Sequence, residues 1–138
     1  MQQLITDNNQ VVLLAGPEKE GAKYPTKEEI AALNKSYEER AIAACKDADA
    51  VIYVGGLNHD FDVEDRDRSD YHLPYGQDAL IKKLLSVRPD MIVTMVAGSP
   101  FSMTEWIDQT DTLLLSYYAG METGRAFANL LFLSLIHI

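Results

Sequence analysis

The chain has 138 residues, 47% of them hydrophobic and 24% charged, and a formal net charge of -9. That size and balance fit one soluble globular domain that can bury a core without disulfides. The acidity argues against nucleic acid and anionic membrane surfaces as partners, and the single cysteine, Cys45, rules out an internal disulfide and a cysteine-only metal site.

The first ten residues, MQQLITDNNQ, lack the basic segment and apolar run of a signal peptide, and no transmembrane span is visible. Nothing else in the sequence fixes a compartment. Val11 to Ala15 is a short apolar run ended by Gly16-Pro17, which reads as a buried strand. A polar loop, GPEKEGAKYP, follows. Thr26 then offers an N-cap and Glu29 completes a capping box. The helix so begun is predicted to run to about Asp47, with Ile30, Leu33, Tyr37, Ala41 and Ala44 on one stripe. Cys45 lies among alanines there and reads as a small core residue.

Ala50 to Gly56 is the next predicted strand, apolar throughout and so expected to be covered on both faces. A charge-rich loop leads to Pro74. Gly76 to Val87 follows as a helix with Leu80, Ile81, Leu84 and Leu85 inward, ended by Arg88-Pro89-Asp90. Met91 to Gly98 is a strand, Met103 to Ile107 a short helical turn, Thr112 to Tyr118 a strand, and Glu122 to Phe132 a last helix. The final six residues, LSLIHI, match what a sequencing-library adapter encodes in frame. Residues 133–138 are therefore expected to be a non-native tail, in preference to a buried strand.

Strands joined by helical crossovers imply an α/β fold, a mostly parallel sheet with helices on both faces. Ligands of such sheets sit at the carboxyl ends of the strands. The loops Gly55 to Pro74, Gly98 to Glu105 and Tyr118 to Glu122 lie there.

The first of these loops contains HDFDVEDRDRSD, residues 59 to 70. Asp60, Asp62 and Glu64 imitate the start of a calcium-binding EF-hand. Asp65 then stands where the sharp turn needs glycine, and Tyr71 where the bidentate glutamate belongs. No metal is expected. Gly55-Gly56 lacks the remaining glycines of a dinucleotide loop, and no phosphate loop is present. Gly98-Ser99-Pro100 is not a nucleophile elbow. His59 and His72 flank the charged loop, where surface and sugar-contact roles are equally open. Glycosidase chemistry needs two carboxyl groups, one held protonated near neutrality. Crowded carboxylates in a pocket would raise the pKa of a glutamate here, and Arg66 and Arg68 would lower it, so the sign rests on geometry. The bland alternative is a solvated loop whose Asp-Arg pairs contribute little.

The blocks KDADAVIYVGGLN, DFDVEDRDRSD, LPYGQDALI, MIVTMVAGSPFSM and LLLSYYAGMETGRAFANLLF, in that order, resemble the C-terminal α/β-sandwich domain of glycoside hydrolase family 3. The resemblance covers about Ala41 to Phe132, and the expected domain is residues 1–132, incomplete relative to the family. The family's acidic loop reads Glu-Gly-x-Asp-Arg, where this chain has Glu64-Asp65-Arg66-Asp67-Arg68. The resemblance implies Glu64 as general acid/base. It leaves Asp62, Asp67, Arg68 and His59 to bind substrate or shape the loop. Asp65 replaces the glycine, and Ala119-Gly120 the family's Pro-Gly turn. The resemblance further implies a retaining β-glucosidase or β-xylosidase that needs no cofactor. Its nucleophilic aspartate lies on a separate barrel domain, which this chain does not contain. A non-catalytic carbohydrate-binding or scaffold domain is the alternative.

Overall fold

The computed structural model describes residues 2–5, 11–14, 26–65 and 67–132. The polar loop before Thr26, Arg66 and the expected tail at 133–138 lie outside the described residues. The chain divides into two compact units, Met1–Lys35 and Ser36–Ile138.

In the first unit, strand β1 (Gln2–Ile5) pairs antiparallel with β2 (Val11–Leu14), Gln2 opposite Leu14 and Ile5 opposite Val11. The run at Val11 is therefore a strand, but not the first member of a parallel sheet. A link as short as residues 6–10 can return the chain antiparallel, whereas parallel neighbours need a long crossover. β1 escapes sequence reading because QQLI holds only two apolar residues. Helix α1 (Lys27–Asp47) opens with the expected capping box. The Thr26 amide donates to Glu29 Oε2 at 2.7 Å, and the Glu29 amide donates to Thr26 Oγ1 at 3.2 Å.

The second unit is built on β3 (Ile52–Gly56), β4 (Ile92–Val96) and β5 (Thr112–Ser116), in the order β3-β4-β5, all parallel. Helix α2 (Gln77–Val87) connects β3 to β4. Its Ile81, Leu84 and Leu85 are buried, as the apolar spacing requires. Helix α3 (Thr123–Leu131) follows β5 and has no buried residue. In β4 Val93, Thr94 and Met95 are almost completely enclosed, as are Met91 and Ala97 at its two ends. These side chains meet the α2 residues, Cys45 of α1, and Trp106, which is 0% exposed. Cys45 is thus a core residue, and burial pushes its thiol pKa up.

Two expectations about coverage need correction. β4 is the enclosed strand, whereas Val54 of β3 is 70% exposed and Ile52 is also exposed. An apolar sequence alone does not place a strand at the centre of a sheet. On α1, Ala44 and Leu33 are exposed, and the side chains against the core are Ala41, Ile42 and Cys45. The stripe is rotated because Cys45, not Ala44, faces inward.

Arg88 ties these parts together. Its Nη1 donates to Cys45 O at 2.7 Å and Ala48 O at 2.6 Å, where α1 ends, and its other nitrogens pair with Asp90. One side chain thus satisfies carbonyls at a helix terminus and braces the turn into β4. No described helix is long and apolar enough to cross a membrane.

Candidate functional site

The carboxyl ends of β3, β4 and β5 carry the site. β3 ends on Gly56, at φ 135, and a Cβ there would stand 1.8 Å from Val96 O. No other residue permits so close an approach of the two backbones. Gln77 fixes this strand end from the start of α2. Its Oε1 accepts from the Gly56 amide at 2.9 Å and the Tyr53 hydroxyl at 3.2 Å. Its Nε2 donates to Gly56 O at 2.8 Å and Pro74 O at 3.1 Å. Burial, then the nearby Asp78 charge, pushes the Tyr53 hydroxyl far above its usual pKa, so it stays a donor.

From Gly56 the chain enters the acidic loop. Asn58 organises its first turn: the Phe61 and Asp62 amides donate to Asn58 O at 3.0 and 2.9 Å, and the Asp60 amide donates to Asn58 Oδ1 at 3.1 Å. The turn delivers Asp62 to the ends of the other two strands. Asp62 Oδ1 accepts from Ser99 Oγ at 2.8 Å and Oδ2 accepts from the Gly98 amide at 3.1 Å, with Tyr118 beside the carboxylate. The Tyr118 hydroxyl first, then the bond from Ser99, holds Asp62 below the usual carboxylate range. Burial and then the Asp62 carboxylate push the Tyr118 hydroxyl up. Gly98 has to be small here, since a Cβ would lie 2.4 Å from the Tyr118 ring and 2.7 Å from Asp62 Oδ2.

The far limb of the loop returns to the same turn. Arg68 Nη2 donates to Pro100 O and, at 3.4 Å, to Ser99 Oγ. Arg68 Nη1 is buried without a hydrogen-bond partner among the described residues. The Ser102 amide donates to Tyr71 O at 2.7 Å. The loop is therefore fastened on both sides to residues 98–102, and Glu64 lies exposed between the two anchors.

A cavity of about 460 Å³ opens beside the anchors, lined by Phe61, Asp62, Asp67, Arg68, Tyr71 and Ser99 among others. Asp67 is exposed at its edge. Glu64 and His59 are not in its lining. His59 instead stands against Tyr118, with ring centroids 6.1 Å apart. Among the described residues no three His, Cys, Asp or Glu side chains converge to hold a metal ion.

The structure thus joins Asp62 and Arg68 through Ser99 and leaves Glu64 and His59 outside the cavity. Sequence reasoning did not single out Ser99, Tyr118 or Gln77 as site residues. Ser99 and Tyr118 lie on loops placed at the carboxyl ends of strands, which was the available signal. Their meeting depends on strand register, which one sequence does not reveal.

The architecture defines an α/β domain of parallel strands whose carboxyl-end loops display carboxylates, hydroxyls and aromatic rings. Residues 3–134 match the glycosyl hydrolase family 3 C-terminal domain, and the chain belongs to this family. Among curated relatives it is 40% identical over 93 residues to "Probable beta-glucosidase K" of Aspergillus fumigatus, covering 67% of this chain and 12% of that protein. It is 37% identical over 93 residues to "Beta-glucosidase BoGH3A" of Bacteroides ovatus, covering 66% and 12%. The chain therefore spans about 12% of the length of these relatives. Among solved structures, a Bifidobacterium adolescentis GH3 beta-glucosidase superposes with a TM-score of 0.67 at 27% identity, over 72% of this chain and 15% of that one. The beta-glucosidase of Kluyveromyces marxianus in complex with glucose gives 0.69 at 24% identity, over 73% and 12%, which is a likeness of fold.

Proposed function

We propose that this chain supplies the acid/base loop of a retaining glycoside hydrolase that cleaves O-glycosidic bonds in β-glucoside-like substrates. The observation that carries the reading is the double fastening of the acidic loop through Asp62 and Arg68, with Glu64 held out between the anchors. A proton donor must be presented to a partner surface yet held in place, and a loop clamped on both limbs does this.

In this reading the catalytic nucleophile is an aspartate on a barrel domain, the partner of this one. That aspartate attacks the anomeric carbon while the Glu64 carboxyl protonates the departing oxygen. The Glu64 carboxylate then takes a proton from water, which displaces the enzyme from the sugar and restores both groups. Asp62 and Arg68 hold the loop, Asp67 stands at the cavity edge, and His59 offers an exposed ring beside Tyr118 for sugar contact.

The second reading is a non-catalytic carbohydrate-binding or scaffold domain. It is favoured by a cavity that gathers Asp62, Asp67 and Arg68 and leaves Glu64 out. Glu64→Ala in the full-length protein separates the two. For the hydrolase, kcat/KM on a glucoside with a poor leaving group falls by roughly 10²- to 10⁴-fold, and azide partly restores turnover of one with a good leaving group. Unchanged turnover with weakened sugar binding would establish the binding domain instead.

A further inference from the structure

Pro74 to Gln77 is a tight turn in which the Gln77 amide donates to Pro74 O. Tyr75 has φ 61 and ψ 20, and Gly76 has φ 71 and ψ 23. Two successive left-handed residues make a type I′ turn, which ordinarily takes Asn or Gly at both central positions. Tyr75 is the one non-glycine residue with positive φ among the described residues. A bulky side chain persists in that conformation only where its surroundings demand it.

What Tyr75 touches explains its presence. Its hydroxyl donates to Asp60 Oδ2 at 3.1 Å and accepts from Asn58 Nδ2 at 3.5 Å. Its ring meets Phe61 edge-on, with centroids 5.2 Å apart at 85°. Asn58, Asp60 and Phe61 form the turn that delivers Asp62 to Ser99, two residues before Glu64. A left-handed Tyr75 thus reaches back from the start of α2 and grips the first limb of the acidic loop at three residues. Neither composition nor the family blocks single this residue out.

We propose that Tyr75 is a positioning residue: it holds the first limb of the acidic loop in place and so sets where Asp62 and Glu64 stand. The catalytic consequence rests on the reading of Glu64 as acid/base; the structural role does not.

Amide hydrogen exchange on the 138-residue chain tests it. Tyr75→Phe removes the hydroxyl but keeps the ring and the turn. Tyr75→Asn removes both contacts and retains a residue that adopts left-handed backbone readily. The Phe61 and Asp62 amides, both bonded to Asn58 O, should exchange about fivefold faster in Tyr75→Phe, the factor expected from one ordinary hydrogen bond. They should exchange faster still in Tyr75→Asn, while the amides of Val93 to Met95 keep their rates. Unaltered exchange at Phe61 and Asp62 in both variants overturns the proposal. So does an equal acceleration across β4, which would make Tyr75 a support of the whole fold. In the full-length protein Tyr75→Phe should lower kcat several-fold and leave KM nearly unchanged. Azide rescue of Glu64→Ala is read separately, so failure of the acid/base reading leaves the exchange result standing.

Discussion

The indole N–H of Trp106 donates to Asp78 Oδ1 at 2.8 Å, and both side chains are buried. The second oxygen, Oδ2, accepts from the Leu73 amide at 3.0 Å. Asp78 lies in the first turn of α2, where the helix dipole favours a negative charge. One carboxylate therefore joins the end of the acidic loop, the start of α2 and the segment after β4. Asp78→Ala strands two buried donors and should lower stability by roughly 3 kcal/mol in urea unfolding. Combining it with Trp106→Phe, which removes one of those donors, should give a loss smaller than the sum of the two single losses.

Close packing of Gly56 on Val96 and the Gln77 side chain together fix the end of β3. Gly56→Ala forces a Cβ into the Val96 carbonyl and keeps a left-handed φ, so it should cost more than roughly 3 kcal/mol. Gln77→Ala removes the side chain that meets both backbone groups of Gly56 and should cost roughly 2 kcal/mol. Thermal or urea denaturation of the single variants checks the order.

Asp62 gives the fold an acid-sensitive contact. Its carboxyl is held below the usual range, chiefly by the Tyr118 hydroxyl and then by Ser99. The unfolded chain therefore binds this proton more readily than the folded one. The stability from Asp62 is fully present above the unfolded value of about 3.9 and is lost as pH falls through the lower folded value. Asp62→Asn should flatten the decline in urea midpoint below about pH 4, while leaving a uniformly weaker anchor to Ser99 and Gly98. An undiminished acid slope in the variant would assign it to other carboxylates.

The isolated 138-residue chain should not hydrolyse an aryl β-glucoside, because the proposed mechanism takes its nucleophile from another domain. Release of aryl alcohol by the purified chain, abolished by Glu64→Ala, would show that both carboxyl groups reside here.

Much of the fold could be read because local signals coincide with element ends. Thr26 and Glu29 cap α1 as their spacing requires, and the inward face of α2 follows from Leu80, Ile81, Leu84 and Leu85. What could not be read depends on partners distant in sequence. Val54 and Val93 look equally apolar in their strands, yet one is 70% exposed and the other 0%. The difference lies in which strand is central, and only the pairing reveals that. At the site, resemblance pointed to residues of the acidic loop. Ser99 and Tyr118, which hold it, come from the next two strand ends and carry no local mark.

The position of β4 between its neighbours also governs the order in which this sheet can form. Ile52 meets Ile92, and Ile92 in turn meets Thr112, so neither ladder can begin as a hairpin. During synthesis β3 leaves the ribosome first and waits through the acidic loop and the whole of α2 for its partner strand. Its backbone edge is unpaired over that interval, when it can meet other nascent chains. The yield of folded protein should therefore depend on how quickly the segment from Gln77 to Val96 is made and packed.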